Sequence, residues 1–217
     1  MIHLHLDRGG TAGLQILCLG AHADDIEIGC GGTILRLAAQ YPGCVLHWVV
    51  FSAIGVREAE ARRAAALFAG STTLKGPLLK TFPDGFMPFV GAEVKAVFEE
   101  LKQVVSPDVI FTHNRRDAHQ DHCLIAELTW NTFRDHWILE YEIPKYDGDL
   151  GQPSVFVPLQ PEVAQQKVRS IMDAFPSQHS KHWFAEETFF AIMRLRGMEC
   201  HASSGYAEAF YCRKLVL

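Results

Sequence analysis

The sequence predicts an α/β fold built as a single domain, and three observations carry that prediction. Short apolar runs rich in Val, Ile, Leu and Phe, each bounded by turn signals, fall at Leu14 to Leu19, Val45 to Phe51 and Asp108 to Thr112. Segments of helical spacing lie between them. The chain has 217 residues, 48% of them hydrophobic, which is enough for one sizeable core and short for two.

Taken in order, the run at Leu14 to Leu19 reads as the first strand, and Gly32 to Gln40 as the helix that returns the chain. Val45 to Phe51 is the second strand. Arg57 to Ala69, REAEARRAAALFA, is rich in strong helix formers and reads as the second helix. A third helix is expected at Ala92 to Val105, a strand at Asp108 to Thr112 and a helix at Cys123 to Phe133. Such alternation makes β-α-β units, hence a Rossmann-like, mostly parallel sheet with helices on both faces. After Tyr141 the stretch IPKYDGDLGQPS is too rich in Pro, Gly and Asp for a regular element, so 141–153 is read as a substrate loop or lid. Beyond it, Gln160 to Ala174 and Trp183 to Arg196 read as helices, and Ala209 to Val216 as a late edge strand. No internal repeat or low-complexity tract interrupts the domain at 1–217.

Composition excludes some functions. The net charge is -5 and no basic run exceeds two residues, so nothing offers a footprint for a phosphate backbone, and nucleic acid is not expected as a partner. The N-terminus lacks a basic segment followed by a long apolar one, and the longest apolar stretch, around Val45 to Val56, is too short to span a bilayer. Six cysteines are scattered without a C-x-x-C pair. Most sit in apolar runs, where cysteine acts as a small hydrophobe, and a reduced, cytoplasmic setting is expected.

The chemistry is concentrated in two stretches. In LCLGAHADDIEIGCGG, residues 17–32, the first strand ends at His22 with Asp24 and Asp25 close behind. Ligands of open α/β sheets bind beyond the carboxyl ends of the strands. Imidazole and carboxylate are ligand types zinc accepts, and a catalytic zinc takes three protein ligands while keeping a place for water. His22 and Asp25 would supply two of the three. Asp24 is then the candidate general base, although capping the following helix is an equally ordinary use of an aspartate there. The glycines do not make a dinucleotide fingerprint, because G-x-G-x-x-G from Gly29 would need glycine where Ile34 stands. Gly31 and Gly32 are expected instead to let a helix start lie close to the metal site.

The second stretch, FTHNRRDAHQDHC, places His113, Asp117, His119, Asp121 and His122 within ten residues after another strand end. One of its histidines should be the third ligand, and His122 has a helix to hold it. Asp121 and His119 can form a carboxylate–imidazole pair that stabilises an oxyanion and protonates a leaving nitrogen. The bland alternative is a solvated loop with a helix cap at Asp121. Two clusters of matching chemistry at strand ends weigh against it.

These residues resemble the LmbE/PIG-L family of zinc-dependent de-N-acetylases. The family motif A-H-P-D-D-E is matched by Ala21, His22, Asp24 and Asp25, and H-x-D-H by His119, Gln120, Asp121 and His122. The frame from Leu14 to Thr132 fits as well, and Arg57 with Glu58 resembles a family R-E pair. The resemblance implies zinc on His22, Asp25 and His122, with Fe2+ or Co2+ as other occupants of such a site. It further implies Asp24 as base, and His119 supported by Asp121 as the oxyanion and leaving-group residue. Ala23 in place of proline and Ile26 in place of glutamate depart from the pattern and bear on turn rigidity and support of the site.

The implied activity is hydrolysis of the N-acetyl group of an acetamido sugar, releasing acetate and a free amine. Arg57, Asp84, Asp117 and Lys145 are the candidate substrate-binding residues, with Asp147 and Asp149 hydroxyl readers by type and Arg194 and Arg196 able to meet a phosphate. FPDGFMPF, residues 82–89, could form a rim on which a sugar ring stacks, with at least two of its phenylalanines expected in the core. His3 and His5 form the H-x-H of amidohydrolase barrels, but the chain is short for such a barrel, and alternating histidines on an edge strand are the expected reading. A sugar-binding module without turnover is the rival from another class. Retention of both Asp24 and His119 favours the enzyme. The expected partner is a small-molecule sugar, with assembly into a homo-oligomer left open.

Overall fold

The computed structural model describes residues 13–216. Its strands are β1 (Gln15–His22), β2 (Val45–Ser52), β3 (Thr73–Leu79), β4 (Val109–His113), β5 (Trp137–Tyr141), β6 (Val155–Leu159) and β7 (Tyr206–Cys212). Its α-helices are α1 (Asp25–Gln40), α2 (Val56–Ala69), α3 (Gly91–Val104), α4 (Gln120–Thr132), α5 (Pro161–Ala174) and α6 (Glu186–Glu199). The strands form one seven-stranded sheet in the order β3-β2-β1-β4-β5-β7-β6. The first five run parallel, and β7 is antiparallel to both of its neighbours.

The near-continuous apolar run of β1 is explained by burial on both faces. Ile16 and Cys18 join a core with Ile34, Phe68 and Ile171 from α1, α2 and α5. Leu17, Leu19 and Ala21 point the other way, onto Val94, Phe98 and Ile125 from α3 and α4. The period of two along the strand thus separates two hydrophobic layers. The fold is the expected single α/β domain with helices on both faces.

Several details differ from expectation. Helix α1 begins at Asp25, not at Gly32, so Gly31 and Gly32 sit inside it and not at a helix start beside the metal ligands. Their role is packing: a Cβ on Gly31 would lie 2.5 Å from Cε1 of Phe68, and one on Gly29 would lie 2.2 Å from Cδ2 of Tyr141. The late strand spans Tyr206–Cys212 and is interior, inserted between β5 and β6, so the edges are β3 and β6. Helix α6 starts at Glu186, after Trp183.

Arg196, expected near a phosphate, is 3% exposed and fully engaged. Its Nε and Nη2 donate to the Glu142 carboxylate at 2.6 and 2.7 Å, and Nη2 also reaches the Gly151 carbonyl at 3.1 Å. It thereby clamps the loop after β5 at both ends. Arg194 donates to the Gly205 carbonyl. No helix among the described residues is long and apolar enough to cross a membrane. His3 and His5 lie outside the described residues.

Candidate active site

From β1 the chain winds outward through β2 to β3, and from β4 it winds the other way to β5, so the crevice beyond β1 and β4 is the topological switch point of the sheet. His22 ends β1 and His113 ends β4. Asp24 and Asp25 follow at the start of α1, while His119 caps α4 and His122 lies in its first turn. Both motifs therefore converge.

The convergence is tight. His22 Nδ1 lies 3.1 Å from His122 Nε2 and 3.4 Å from an oxygen of Asp25, and His122 Nε2 lies 3.5 Å from the other oxygen. The far nitrogens of both rings face carboxylates. His22 Nε2 is 3.0 Å from Asp84 Oδ1 and 3.2 Å from Asp121 Oδ2, and His122 Nδ1 is 3.0 Å from Asp117 Oδ2. The two inner nitrogens and the Asp25 carboxylate face one another, and Asp25 Oδ2 also accepts from the His22 N–H and lies 3.1 Å from His113 Nε2. Ligand atoms of Asp25, His113 and His122, and of His22, His119 and His122, lie close enough together to hold a cation.

Neighbouring side chains of ligand type border the set, namely His113 beside Asp25 and His122, and His119 beside His22. Both are otherwise occupied. His113 Nε2 accepts from the Ala21 N–H at 3.0 Å, and His119 Nδ1 accepts from the Asp121 N–H at 3.3 Å. The latter bond leaves the proton of a neutral His119 on Nε2. Burial lowers the His113 pKa to about 4, with the nearby His122 charge acting in the same direction. His113 is therefore a neutral ring stacked on His122, with centroids 3.9 Å apart. Burial, with the charges of His122 and His22, also holds His119 below its usual value.

Asp24 is 6% exposed and makes no capping hydrogen bond, so the helix-cap use is not realised. Its Oδ2 instead meets Arg57 Nη2 at 2.9 Å. Arg57 donates from Nη1 to Glu60 at 2.7 Å and lies over the Phe175 ring, and Glu60 in turn accepts from the Ser177 N–H and Oγ–H. Burial raises the Asp24 carboxyl above its usual range, against the pull of Arg57.

The carboxylate of Asp121 lies within 4.8 Å of a nitrogen of the His119 ring with which it was expected to pair, but its hydrogen bonds go elsewhere. It accepts from the Gly85 and Met87 amides at 2.7 and 3.1 Å and approaches His22. Those bonds pin the 82–89 segment over α4. Of its three phenylalanines, Phe86 and Phe89 are 60% and 81% exposed and Phe82 is half-buried, so the expectation that at least two lie in the core is not met. Met87 is the side chain that fills the core there. Asp117 and Lys145 face inward on His122 and on each other. Of Arg57, Asp84, Asp117 and Lys145, Asp84 is the well-exposed one, at 74% of its side chain, and Asp147 is exposed as well.

Sequence reasoning gave no role to His113 and passed over Glu27. Glu27 is 1% exposed and neither of its oxygens has a partner among the described residues. Burial pushes its carboxyl well above the usual glutamate range. A carboxyl whose folded pKa lies above its unfolded one makes the native state lose stability as pH rises through the unfolded value toward the folded one. Glu27→Gln removes that titration. Its melting temperature relative to wild type should therefore rise as pH increases above the acid range; a difference independent of pH would show that the Glu27 carboxyl titrates alike in the folded and unfolded chain.

A doubly wound α/β domain with a histidine–aspartate cluster that could hold a cation at its switch point defines the class to which the molecule belongs. The match to the family described as PIG-L, GlcNAc-PI de-N-acetylase, covers residues 17–133, and the chain belongs to that family. An Escherichia coli K12 relative, the uncharacterized deacetylase YaiS, is 30% identical over 142 residues, covering 59% of this chain and 74% of YaiS. The N,N'-diacetylchitobiose deacetylase of Pyrococcus horikoshii superposes with a TM-score of 0.69 at 18% identity, over 93% of this chain and 84% of that one. GalB, the 4-carboxy-2-hydroxymuconate hydratase of Pseudomonas putida KT2440, gives 0.70 at 17% identity, over 94% and 98%. At such identities the two structures establish the shared fold alone. A fold that carries a deacetylase and a hydratase leaves the reaction to be argued from side chains.

Proposed function

We propose that the chain is a zinc-dependent hydrolase that removes the N-acetyl group of an acetamido sugar, with the ion held by His22, Asp25 and His122. The observation that carries this reading is the close approach of ligand-type atoms from those three side chains, each histidine with a carboxylate beside its far nitrogen. A divalent ion there supplies Lewis acidity toward a carbonyl oxygen and acidifies water. Nitrogen and oxygen donors in a tetrahedral arrangement suit zinc, and Fe2+ or Co2+ can use the same set.

The chain's own groups supply the rest. Asp24, made more basic by burial and oriented by Arg57, takes the proton of the attacking water. His119, with Nδ1 fixed by the Asp121 amide, presents Nε2–H to the developing oxyanion, and the proton that Asp24 takes from the water passes on to the departing nitrogen. Phe86 and Phe89, exposed on a segment fastened by Asp121, offer a rim for the sugar ring, and Asp84 offers a hydroxyl acceptor beside it. The free state of all six cysteines fits a reducing, cytoplasmic setting.

The test is direct. Zinc-loaded protein is incubated with N-acetylated monosaccharides, glycosides and sugar nucleotides, and primary amine and acetate are measured. Equimolar release from at least one sugar is expected. Absence of amine across the panel, from protein shown to hold one ion per chain, would overturn the reading.

A further inference from the structure

Lys145 lies in the loop after β5, outside both motifs, yet its side chain is 10% exposed and its ammonium touches the surroundings of the metal set. Nζ is 3.0 Å from Asp117 Oδ2, 2.5 Å from Asp149 Oδ2 and 3.5 Å from the Ile143 carbonyl. An ammonium has three donors, and these three acceptors take them all. None remains for a substrate hydroxyl. Asp117 Oδ1 accepts from the His119 N–H at 2.8 Å, and its Oδ2 lies 3.0 Å from both Lys145 Nζ and His122 Nδ1. Asp149 closes the figure by accepting from the Ala118 N–H at 2.7 Å.

We infer that Lys145 is a positioning residue of the metal centre, holding the Asp117 carboxylate on His122 and thereby setting zinc affinity, and that it does not read substrate. This inference rests on the reading of His22, Asp25 and His122 as ligands. The physical argument is that a carboxylate behind a ligating imidazole fixes ring orientation and tautomer, and losing such a partner commonly costs about 10- to 100-fold in metal affinity. Asp117 is almost fully buried, and Lys145 is the cation that compensates its charge. Arg196, by gripping Glu142 and Gly151, keeps the loop that carries Lys145 in place.

The experiment compares wild type, Lys145→Met and Lys145→Arg for zinc dissociation constant, by competition with a chromophoric chelator, and for KM of the zinc-saturated enzyme. Lys145→Met should bind zinc about tenfold more weakly with KM within about twofold of wild type, and Lys145→Arg should recover most of the affinity. Should Lys145→Met fail to fold, Asp149→Asn, which removes one anchor of the ammonium and leaves Asp117 intact, should still weaken zinc binding by a smaller factor. Unchanged zinc affinity with a raised KM would make Lys145 a substrate reader and end the proposal. A wild-type protein that takes up no zinc removes the ligand set itself, which separates failure of that reading from failure of this one.

Discussion

Asp24→Asn is expected to retain its metal and to lose turnover by about 10²-fold or more, the range associated with loss of a positioned general base. The substitution is nearly isosteric. Asparagine keeps an oxygen able to accept from Arg57 Nη2, which now approaches Asp24 at 2.9 Å, so the link through Arg57 to Glu60 and Ser177 persists. The ability to take a proton is what disappears. Burial makes the native carboxylate more basic than an exposed one, which strengthens it for that task. Steady-state kinetics beside elemental analysis decides the matter: a variant near the wild-type rate removes Asp24 from the chemistry, and one that has lost its metal makes it part of the ligand set.

His119 and His122 should fail in different ways. His122→Ala deletes one of the three converging donors, so the protein should purify with little metal and no turnover. His119→Ala leaves those donors untouched and should keep its metal while kcat falls by about 10² or more, the usual effect of losing one oxyanion donor. Metal lost from His119→Ala and kept by His122→Ala would reverse the two roles.

Much of this was legible in the chain because parallel β-α-β units put chemistry where strands stop. His22 and the His113 to His122 cluster each follow an apolar run directly, and the switch point brings the two ends together. The partners of those groups were harder to read. Asp121 was expected to turn to its near neighbour His119, but its carboxylate meets Gly85 and Met87, 36 and 34 positions away, once the 82–89 segment folds over α4. Arg57 and Lys145 carry the residue types of substrate readers, yet buried carboxylates supplied by the tertiary fold claim them. Strand β7 lies between β5 and β6 because residues 139–141 pair with residues 210–212, a register that no local pattern encodes. Strand β3, TLKGPLL, is an edge strand with Gly and Pro inside it, and it lacks the apolar continuity that betrays β1 and β2.

The inner nitrogens of His22 and His122 are 3.1 Å apart in space and 100 positions apart in sequence. Only the paired strands β1 and β4 keep them together, so the unfolded chain presents no comparable set. An ion bound there is linked to the folded state alone, and at a free concentration 1,000 times its dissociation constant it would add about 4.1 kcal/mol to the unfolding free energy. The same donors that arrange the chemistry thus make occupancy a thermodynamic brace: stripping the ion with a chelator would bring the denaturation midpoint down before any substrate is involved.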